Sequence, residues 1–142
     1  MLRVVLDTNV VVSAYLVPSG KPASIISLAR QGEVEICLSD DILEEIKRTL
    51  LRPKLQKIHK ARPEEIERFL QAFTEVAVLV SGTVEVDPVE GDPDDTKILA
   101  CAVEGQAHYV ISGDHHLTDL GSFHGIPIVN PDAFLTIMAE KP

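Results

Sequence analysis

The chain has 142 residues, of which 45% are hydrophobic and 25% charged, and its formal net charge is −9. This composition is typical of a globular protein and argues against disorder, collagen-like repeats and coiled coil, so we expect residues 1–142 to form a single domain. The apolar runs are far shorter than the roughly 20 residues of a membrane span, and the start lacks the apolar core of a signal peptide. No membrane partner and a cytoplasmic location are therefore expected.

Strands and helices alternate along the chain. In order, the sequence predicts strand 3–6, helices 10–16 and 22–30, strand 34–38, helix 39–51, a basic helical turn 54–60, a helix from Pro63, strand 76–80, helix 92–104, strand 109–112, a short helix or turn 114–120, strand 126–129 and helix 131–139. Most strands are continuous apolar runs, which indicates a parallel sheet with helices on both faces. The predicted fold class is therefore α/β.

Three single residues refine this prediction. Pro127 cannot donate a backbone hydrogen bond, so the last strand is expected at an edge of the sheet. Cys37 and Cys101 have no paired spacing for zinc and are too few for a disulfide framework. Both cysteines are predicted to be core residues.

The cations are concentrated in one window. No acid lies between Glu45 and Glu64, and seven of the thirteen cations lie there: Lys47, Arg48, Arg52, Lys54, Lys57, Lys60 and Arg62. Such a window attracts a polyanion despite the negative net charge. A solvated helix face would use the same residues, and charge alone does not choose between these interpretations.

Two acids follow predicted strands directly. Asp7 follows the first strand and Asp114 follows strand 109–112 after one glycine. Ligands of open α/β sheets bind beyond the carboxyl ends of the strands, which suggests a site there. The alternative is that each Asp caps the following helix.

Two further acids lie on predicted helices. Asp95 shares an i, i+3, i+4, i+7 stripe with apolar residues, so it is expected on the buried side, and Asp92 is the natural helix cap. Glu45 lies nearer than Glu44 to the apolar face of its helix. The sequence fits equally well with two solvated glutamates on the surface of that helix.

Four carboxylates from separate elements could meet in one pocket: Asp7, Glu45, Asp95 and Asp114. Packed carboxylates repel one another unless a cation neutralises them, and their oxygens suit Mg²⁺ or Mn²⁺. Such a site activates water and stabilises charge on a phosphate without a covalent nucleophile. This chemistry is suited to phosphodiester hydrolysis.

These residues resemble the motifs of the PIN-domain family of metal-dependent ribonucleases. Segments 5–14 (VLDTNVVVSA), 39–50 (SDDILEEIKRTL), 92–102 (DPDDTKILACA) and 109–114 (YVISGD) match its four motifs in order. The resemblance is nearest to small prokaryotic PIN proteins described as toxin components of toxin–antitoxin systems. It covers nearly the whole chain.

The resemblance implies a fold, a reaction and partners. It implies a five-stranded parallel sheet flanked by helices, single-stranded RNA as substrate, a cognate antitoxin as inhibitor, and a homodimer. The residues that it implies for Mg²⁺ or Mn²⁺ are Asp7, Asp95 and Asp114, with Glu45 orienting water and Asn9, Ser13 and Ser112 supporting the site. For an RNA-binding edge we take Lys47, Arg48, Arg52, Lys54 and Lys57.

Several alternatives stay open at this point. Asp94 could replace Asp95, and Asp92 or Asp119 could join the site. Many family members have a further acid where this chain has His116, which leaves the number of metal ions open, and a zinc site near the histidines at 108, 115 and 124 is conceivable. A haloacid-dehalogenase-like phosphatase fits less well, because Asn9 stands where its second acid is needed. A PIN-like module that binds RNA or protein without catalysis is the third alternative.

Overall fold

The computed structural model describes residues 1–88 and 93–140. The strands are β1 (Leu2–Leu6), β2 (Val34–Leu38), β3 (Ala77–Leu79), β4 (Tyr109–Ile111), β5 (Ser122–Phe123) and β6 (Ile126–Val129). The helices are α1 (Thr8–Leu16), α2 (Lys21–Arg30), α3 (Asp40–Leu50), α4 (Pro53–His59), α5 (Pro63–Val76), α6 (Pro93–Glu104), α7 (His115–Thr118) and α8 (Pro131–Glu140). Their order confirms the predicted alternation.

The described strands form one sheet in the order β3-β2-β1-β4-β6-β5. The first five are parallel, and β5 pairs antiparallel with β6. The predicted five-stranded parallel sheet is therefore confirmed, and β5 adds a sixth strand that two residues of sequence could not reveal. The strand order reverses between β1 and β4, which opens a crevice at their carboxyl ends.

The edges of the sheet differ from the prediction. The expectation that β6 lies at an edge is wrong, since Pro127 lies opposite Ser122 of β5. The missing donor of Pro127 is tolerated because this pairing lasts only two residues, and Ile128 next to it donates to the Gly121 carbonyl at 3.0 Å. One edge of the described sheet is instead β3, where Leu79 is 57% exposed. The strand predicted over 76–80 is shorter, because its first residue, Val76, is the last residue of α5. Its residues are only partly buried, whereas a continuous apolar run predicts full burial.

Helices cover both faces of the central strands. Val4, Val5 and Leu6 point alternately to opposite faces, yet none is more than 2% exposed. Burial of consecutive residues requires cover on both sides, as predicted for a parallel sheet. Cys37 and Cys101 are buried free thiols, which confirms their prediction as core residues.

Three helix starts place the candidate acids. The first helix, α1, begins at Thr8, two residues earlier than predicted, and Asp7 is its N-cap. Ser39 caps α3 by accepting a 3.3 Å hydrogen bond from the Ile42 amide. The sixth, α6, begins at Pro93, and its predicted cap, Asp92, lies outside the described residues.

None of the described helices has both the length and the apolar character needed to cross a membrane.

Candidate active site

Asp7 and Asp114 lie where the strand order reverses. Neighbouring parallel strands β1 and β4 end beside one another, with Leu6 opposite Ile111. The Asp7 amide donates to the Ile111 carbonyl at 2.9 Å, which ties the start of α1 to the end of β4. Two acids from distant parts of the sequence are thereby brought to one crevice.

Ser112 joins these two acids. Its buried hydroxyl donates a 2.7 Å hydrogen bond to Asp7 Oδ2 and accepts a 2.9 Å hydrogen bond from the Asp114 amide. Because Ser112 is 0% exposed, water does not compete for these contacts. The hydroxyl therefore fixes the Asp7 carboxyl and the backbone of Asp114 relative to each other.

Asp7 is a buried acid whose charged form is disfavoured by its surroundings. It is 6% exposed, and burial raises its pKa above the ordinary value, as does the charge of Asp114. The Ser112 hydroxyl and the amide dipoles of Thr8 and Asn9 lower that pKa without cancelling the rise. Although Asp7 occupies the N-cap of α1, its side chain makes no capping hydrogen bond. Helix capping alone does not explain this acid.

Glu45 on α3 interacts with Asp7 and with a further acid, Asp94. Its pKa is raised chiefly by burial, and also by the charges of Asp94 and Asp7 and by a hydrogen bond with Asp94. Two carboxyl groups share such a bond only if one of them keeps its proton, which explains the direction of the shift. Glu44 is exposed, and its charge contributes to the raised pKa of Lys47 instead. Burial and contacts thus favour Glu45 over Glu44.

Two acids, Asp94 and Asp95, lie in the first turn of α6. Asp95 is 6% exposed and shares its buried face with Ile98, Leu99 and Ala102, as the stripe predicted. The α6 helix packs against β1, the strand that ends just before Asp7, and against α3, the helix that carries Glu45. Asp94 interacts with Glu45 and lies 3.8 Å from the Lys97 ammonium. The structure therefore brings Asp94 into contact with Glu45, and it buries Asp95 on the inner face of α6.

Asp114 combines capping with a place at the surface. Its Oδ1 accepts a 2.9 Å hydrogen bond from the His116 amide at the start of α7, so the capping interpretation is correct for this residue. Asn9 and Ser13 are exposed, and with Asp114 they line one surface cavity of about 470 Å³. This cavity gives solvent and ligands access to the acidic crevice.

Most of the chain, residues 3–116, matches the family model described as PIN domain. The chain belongs to the PIN domain family. Uncharacterized protein MJ1680 of Methanocaldococcus jannaschii is 35% identical over 119 residues, which are 84% of this chain and 75% of that protein. Members of the PIN domain family are generally nucleases that use divalent metal ions.

Solved structures share the fold of this PIN domain at low sequence identity. VapBC2 from Rickettsia felis, bound to a DNA fragment from its promoter, has a TM-score of 0.63 at 14% identity, covering 91% of this chain and 98% of that one. PAE2754 from Pyrobaculum aerophilum has a TM-score of 0.63 at 11% identity, covering 99% and 91%. DNA-bound VapBC from Salmonella typhimurium has a TM-score of 0.62 at 16% identity, covering 92% and 99%.

The sequence also offered other candidate ligands for this PIN domain. Asp119, His115 and His116 are exposed, and Asp92 falls outside the described residues. Within residues 1–88 and 93–140, no three His, Cys, Asp or Glu side chains are close enough to form a metal-binding group. The acids instead interact in pairs, Asp7 with Asp114 and with Glu45, and Glu45 with Asp94.

The predicted RNA-binding cations lie on α3, on α4 and between them. Lys47 is paired, with its ammonium 2.7 Å from Glu67 Oε1 on α5. The others are exposed: Arg48, Arg52, Lys54 and Lys57. The basic window therefore forms a surface of the PIN domain, with one of its cations already engaged.

Thr8 is the residue of the site that the sequence did not single out. It is 2% exposed, and its Oγ1 makes no hydrogen bond of ordinary geometry with any described group. A hydrogen-bonding contact with the Glu45 side chain nevertheless lowers the pKa of that carboxyl. A buried hydroxyl without a partner costs about 1–3 kcal/mol, which valine in its place would avoid. The sequence did contain one sign of this residue. Thr8 is a polar residue that stands between Asp7, at the end of a strand, and the apolar residues of α1.

Proposed function

We propose that this PIN domain is a divalent-metal-dependent endoribonuclease that hydrolyses phosphodiester bonds in single-stranded RNA, as the toxin component of a toxin–antitoxin system. The observation that carries the proposal is the buried Asp7 carboxyl, whose charge interacts with those of Asp114 and Glu45. Repulsion among these carboxylates destabilises the folded state unless a bound cation neutralises them. Membership of a family of nucleases supports the same conclusion.

The donor set fits a hard cation. The groups that act on Asp7 and Glu45 are carboxyl oxygens, hydroxyl oxygens and backbone amides, with no thiol or imidazole among them. Burial and mutual repulsion raise the pKa of both acids, and a divalent cation would offset that repulsion. The Thr8 hydroxyl, which contacts the Glu45 side chain, adds one more oxygen beside that carboxyl. These features favour Mg²⁺ or Mn²⁺ over Zn²⁺, which prefers thiolate and imidazole ligands.

Each acid has a proposed role. Asp7, Asp95 and Asp114 would hold the cation, which supplies Lewis-acid stabilisation of charge on the phosphate and lowers the pKa of a water nucleophile. Glu45 would orient that water and accept its proton. Ser112 would keep Asp7 and Asp114 aligned through its two hydrogen bonds.

The surface cavity offers a place for the phosphate backbone. Asn9 and Ser13 line it together with Asp114, so their side chains are available to orient a phosphodiester beside the acids. The exposed cations of the basic window, with Lys54 and Lys57 on α4, would bind phosphates further along the strand. Few aromatic side chains are available for base stacking, so contacts would be mainly to the backbone.

The partners are proposed from the shared fold. Two of the structures with a similar fold are VapBC toxin–antitoxin complexes. On this basis an antitoxin would bind and inhibit this chain, and two copies of the chain would form a homodimer. Sedimentation analysis of the chain alone, and of the chain expressed with a neighbouring gene product, would test both partners.

The decisive experiment is a cleavage assay on labelled single-stranded RNA with Mg²⁺, Mn²⁺ or EDTA. We expect cleavage only with a metal ion, and at least a hundredfold loss in Asp7→Asn, which keeps the side-chain shape while removing the charge. Glu44→Gln is the matched control, since this neighbouring acid is exposed and should leave cleavage unchanged. Cleavage that survives Asp7→Asn would exclude the proposed site.

Two further substrates separate this proposal from its alternatives. Hydrolysis of a phosphomonoester with intact RNA would support a phosphatase, and RNA binding without cleavage would support a binding module. For the basic window, Lys57→Gln should weaken RNA binding and reduce its salt dependence by about one phosphate contact. Arg30→Gln, which removes an exposed cation outside the window, is the control.

A further inference from the structure

The cationic helix α4 has few apolar contacts that hold it in place. All seven of its side chains lie within the described part of the chain and none of them is buried. Ile58 is 63% exposed, and only Leu55 of this helix and the following Ala61 are partly packed against the core. The hydrophobic effect thus contributes little to the position of α4. Its placement depends on polar contacts.

His59 at the end of α4 supplies those contacts. Its Nδ1 accepts a 2.9 Å hydrogen bond from the Ala61 amide, and its Nε2 lies 2.9 Å from the Leu50 carbonyl at the end of α3. Because an amide only donates, Nδ1 must be unprotonated, so Nε2 carries the hydrogen and donates to Leu50. One neutral tautomer satisfies both partners.

The same imidazole also contacts other helices. Its ring meets Tyr15 of α1 edge-on at a centroid distance of 5.6 Å, and Tyr15 meets Phe69 of α5 at 4.8 Å. Edge-to-face ring pairs of this kind are favourable. A single side chain of α4 is thereby linked to α3 by hydrogen bonds and to α1 by ring packing.

The backbone after His59 is strained. Lys60 has a φ of 55°, in the left-handed region that side chains with a Cβ seldom adopt. This conformation turns the chain so that the Ala61 amide faces back to His59 Nδ1. The hydrogen bond and the turn therefore depend on each other.

We propose that His59 is a positioning residue that seats α4, with Lys54 and Lys57, on the protein so that these cations meet RNA in a fixed geometry. The assignment of the cations to RNA rests on the proposed function. The seating of α4 by His59 does not. His59 contributes through Leu50 and Ala61 rather than by touching RNA.

The test compares three substitutions at this residue. His59→Phe keeps a ring for Tyr15 but removes both hydrogen bonds, His59→Asn keeps an acceptor for Ala61, and His59→Gln keeps a donor for Leu50. Amide hydrogen exchange should be about tenfold faster over residues 56–61 in His59→Phe, as expected for the loss of two ordinary hydrogen bonds, and unchanged in α3 and α5. The Asn and Gln variants should each recover part of the protection.

RNA binding is measured in parallel in an Asp7→Asn background that prevents cleavage. His59→Phe should raise the Kd for single-stranded RNA about tenfold, and in the cleaving enzyme it should raise KM while leaving kcat unchanged. Ile58→Ala is the matched control on the same helix, because it removes an exposed side chain and should change neither exchange nor Kd. Rescue by Asn or Gln distinguishes positioning from a general loss of structure.

The possible results separate this inference from the proposed function. Unchanged exchange in His59→Phe would overturn the seating role, whatever happens with RNA. Faster exchange with an unchanged Kd would overturn the link between α4 and RNA. If the wild-type protein binds no RNA, the proposed function fails on its own, and the exchange measurement still decides whether His59 seats α4.

Discussion

The hydroxyl of Ser112 at the end of β4 donates a 2.7 Å hydrogen bond to Asp7 Oδ2 at the end of β1. Ser112→Ala would leave the buried Asp7 carboxyl without this donor. A hydrogen bond to a charged group contributes about 1.5–3 kcal/mol, so we expect the free energy of unfolding to fall by about 2 kcal/mol at neutral pH. RNA cleavage should fall at least tenfold, because Asp7 loses its fixed orientation.

Ser112→Thr provides the control for this change, since it keeps the hydroxyl. Urea denaturation and initial cleavage rates measured side by side would check both effects. Normal cleavage by Ser112→Ala would mean that Asp7 needs no support from β4.

Removing the charge of Asp7 should stabilise the protein while it abolishes activity. Burial and Asp114 raise the pKa of Asp7 in the folded state above its ordinary value of 3.8. A carboxyl of this kind favours folding below pH 3.8, and the contribution is lost as pH rises through the raised folded-state pKa. At pH 7 Asp7→Asn should therefore have a Tm a few degrees above the wild type, and the difference should shrink as the pH falls.

Thermal unfolding of both proteins from neutral to acidic pH checks this sign. A wild type that is more stable than Asp7→Asn at pH 7 in EDTA would contradict the raised pKa.

A divalent cation should stabilise the wild type through the same acids. Binding to the folded state alone raises stability with the ratio of free ligand to Kd, so Mg²⁺ or Mn²⁺ should raise the Tm at neutral pH. The rise should be absent in Asp7→Asn and reversed by EDTA. Equal shifts in both proteins would show that the ions bind somewhere other than at Asp7.

The sequence allowed more of the fold than of the site to be predicted. Four parallel strand pairings follow from continuous apolar runs, because such runs need cover on both faces. Strand β5 was not predicted because two residues are too few to show a hydrophobic period. The edge of the sheet was predicted wrongly at β6 because the pairing of Pro127 with β5 could not be foreseen. In both cases a contact between segments overrode a local signal.

The acids could be predicted by position but not by partner. Asp7 and Asp114 follow strands, and Asp95 lies on an apolar stripe, so their elements were readable from spacing. The contact of Glu45 with Asp94 was not readable, since α3 and α6 are far apart in sequence. Thr8 was overlooked for the same reason, because its lack of a hydrogen bond exists only once the helices pack.

Thr8 should matter for catalysis and not for stability. Thr8→Val keeps the shape and removes a buried hydroxyl that has no hydrogen bond among the described residues, so the free energy of unfolding should stay constant or rise by about 1 kcal/mol. Cleavage should fall about tenfold through kcat, because Glu45 loses a nearby hydroxyl that favours its charged form. Thr8→Ser should restore the rate.

A double-mutant cycle with Glu45 checks the cause. In a Glu45→Gln background Thr8→Val should have no further effect on kcat. Additive losses would show that the Thr8 hydroxyl acts through another group.

Glu104 at the end of α6 should hold the segment that follows β3, residues 81–84, in place by accepting its hydrogen bonds. Its carboxylate accepts hydrogen bonds from the Ser81 hydroxyl at 2.7 Å and from the amides of Gly82 and Val84 at 3.1 and 3.2 Å. These donors hold the pKa of Glu104 below its ordinary value of 4.5. The contribution to stability is therefore present above pH 4.5 and is lost as the pH falls through the lowered folded-state pKa.

Glu104→Gln removes the charge that these three donors share, so the amides of Gly82 and Val84 should lose protection against hydrogen exchange at neutral pH. The wild type should lose the same protection only at acidic pH, which protection factors corrected for the intrinsic exchange rate would show. Glu140→Gln, at an exposed acid of another helix, is the control. Equal protection of both amides in Glu104→Gln and in the wild type would mean that the segment is held by its own backbone rather than by α6.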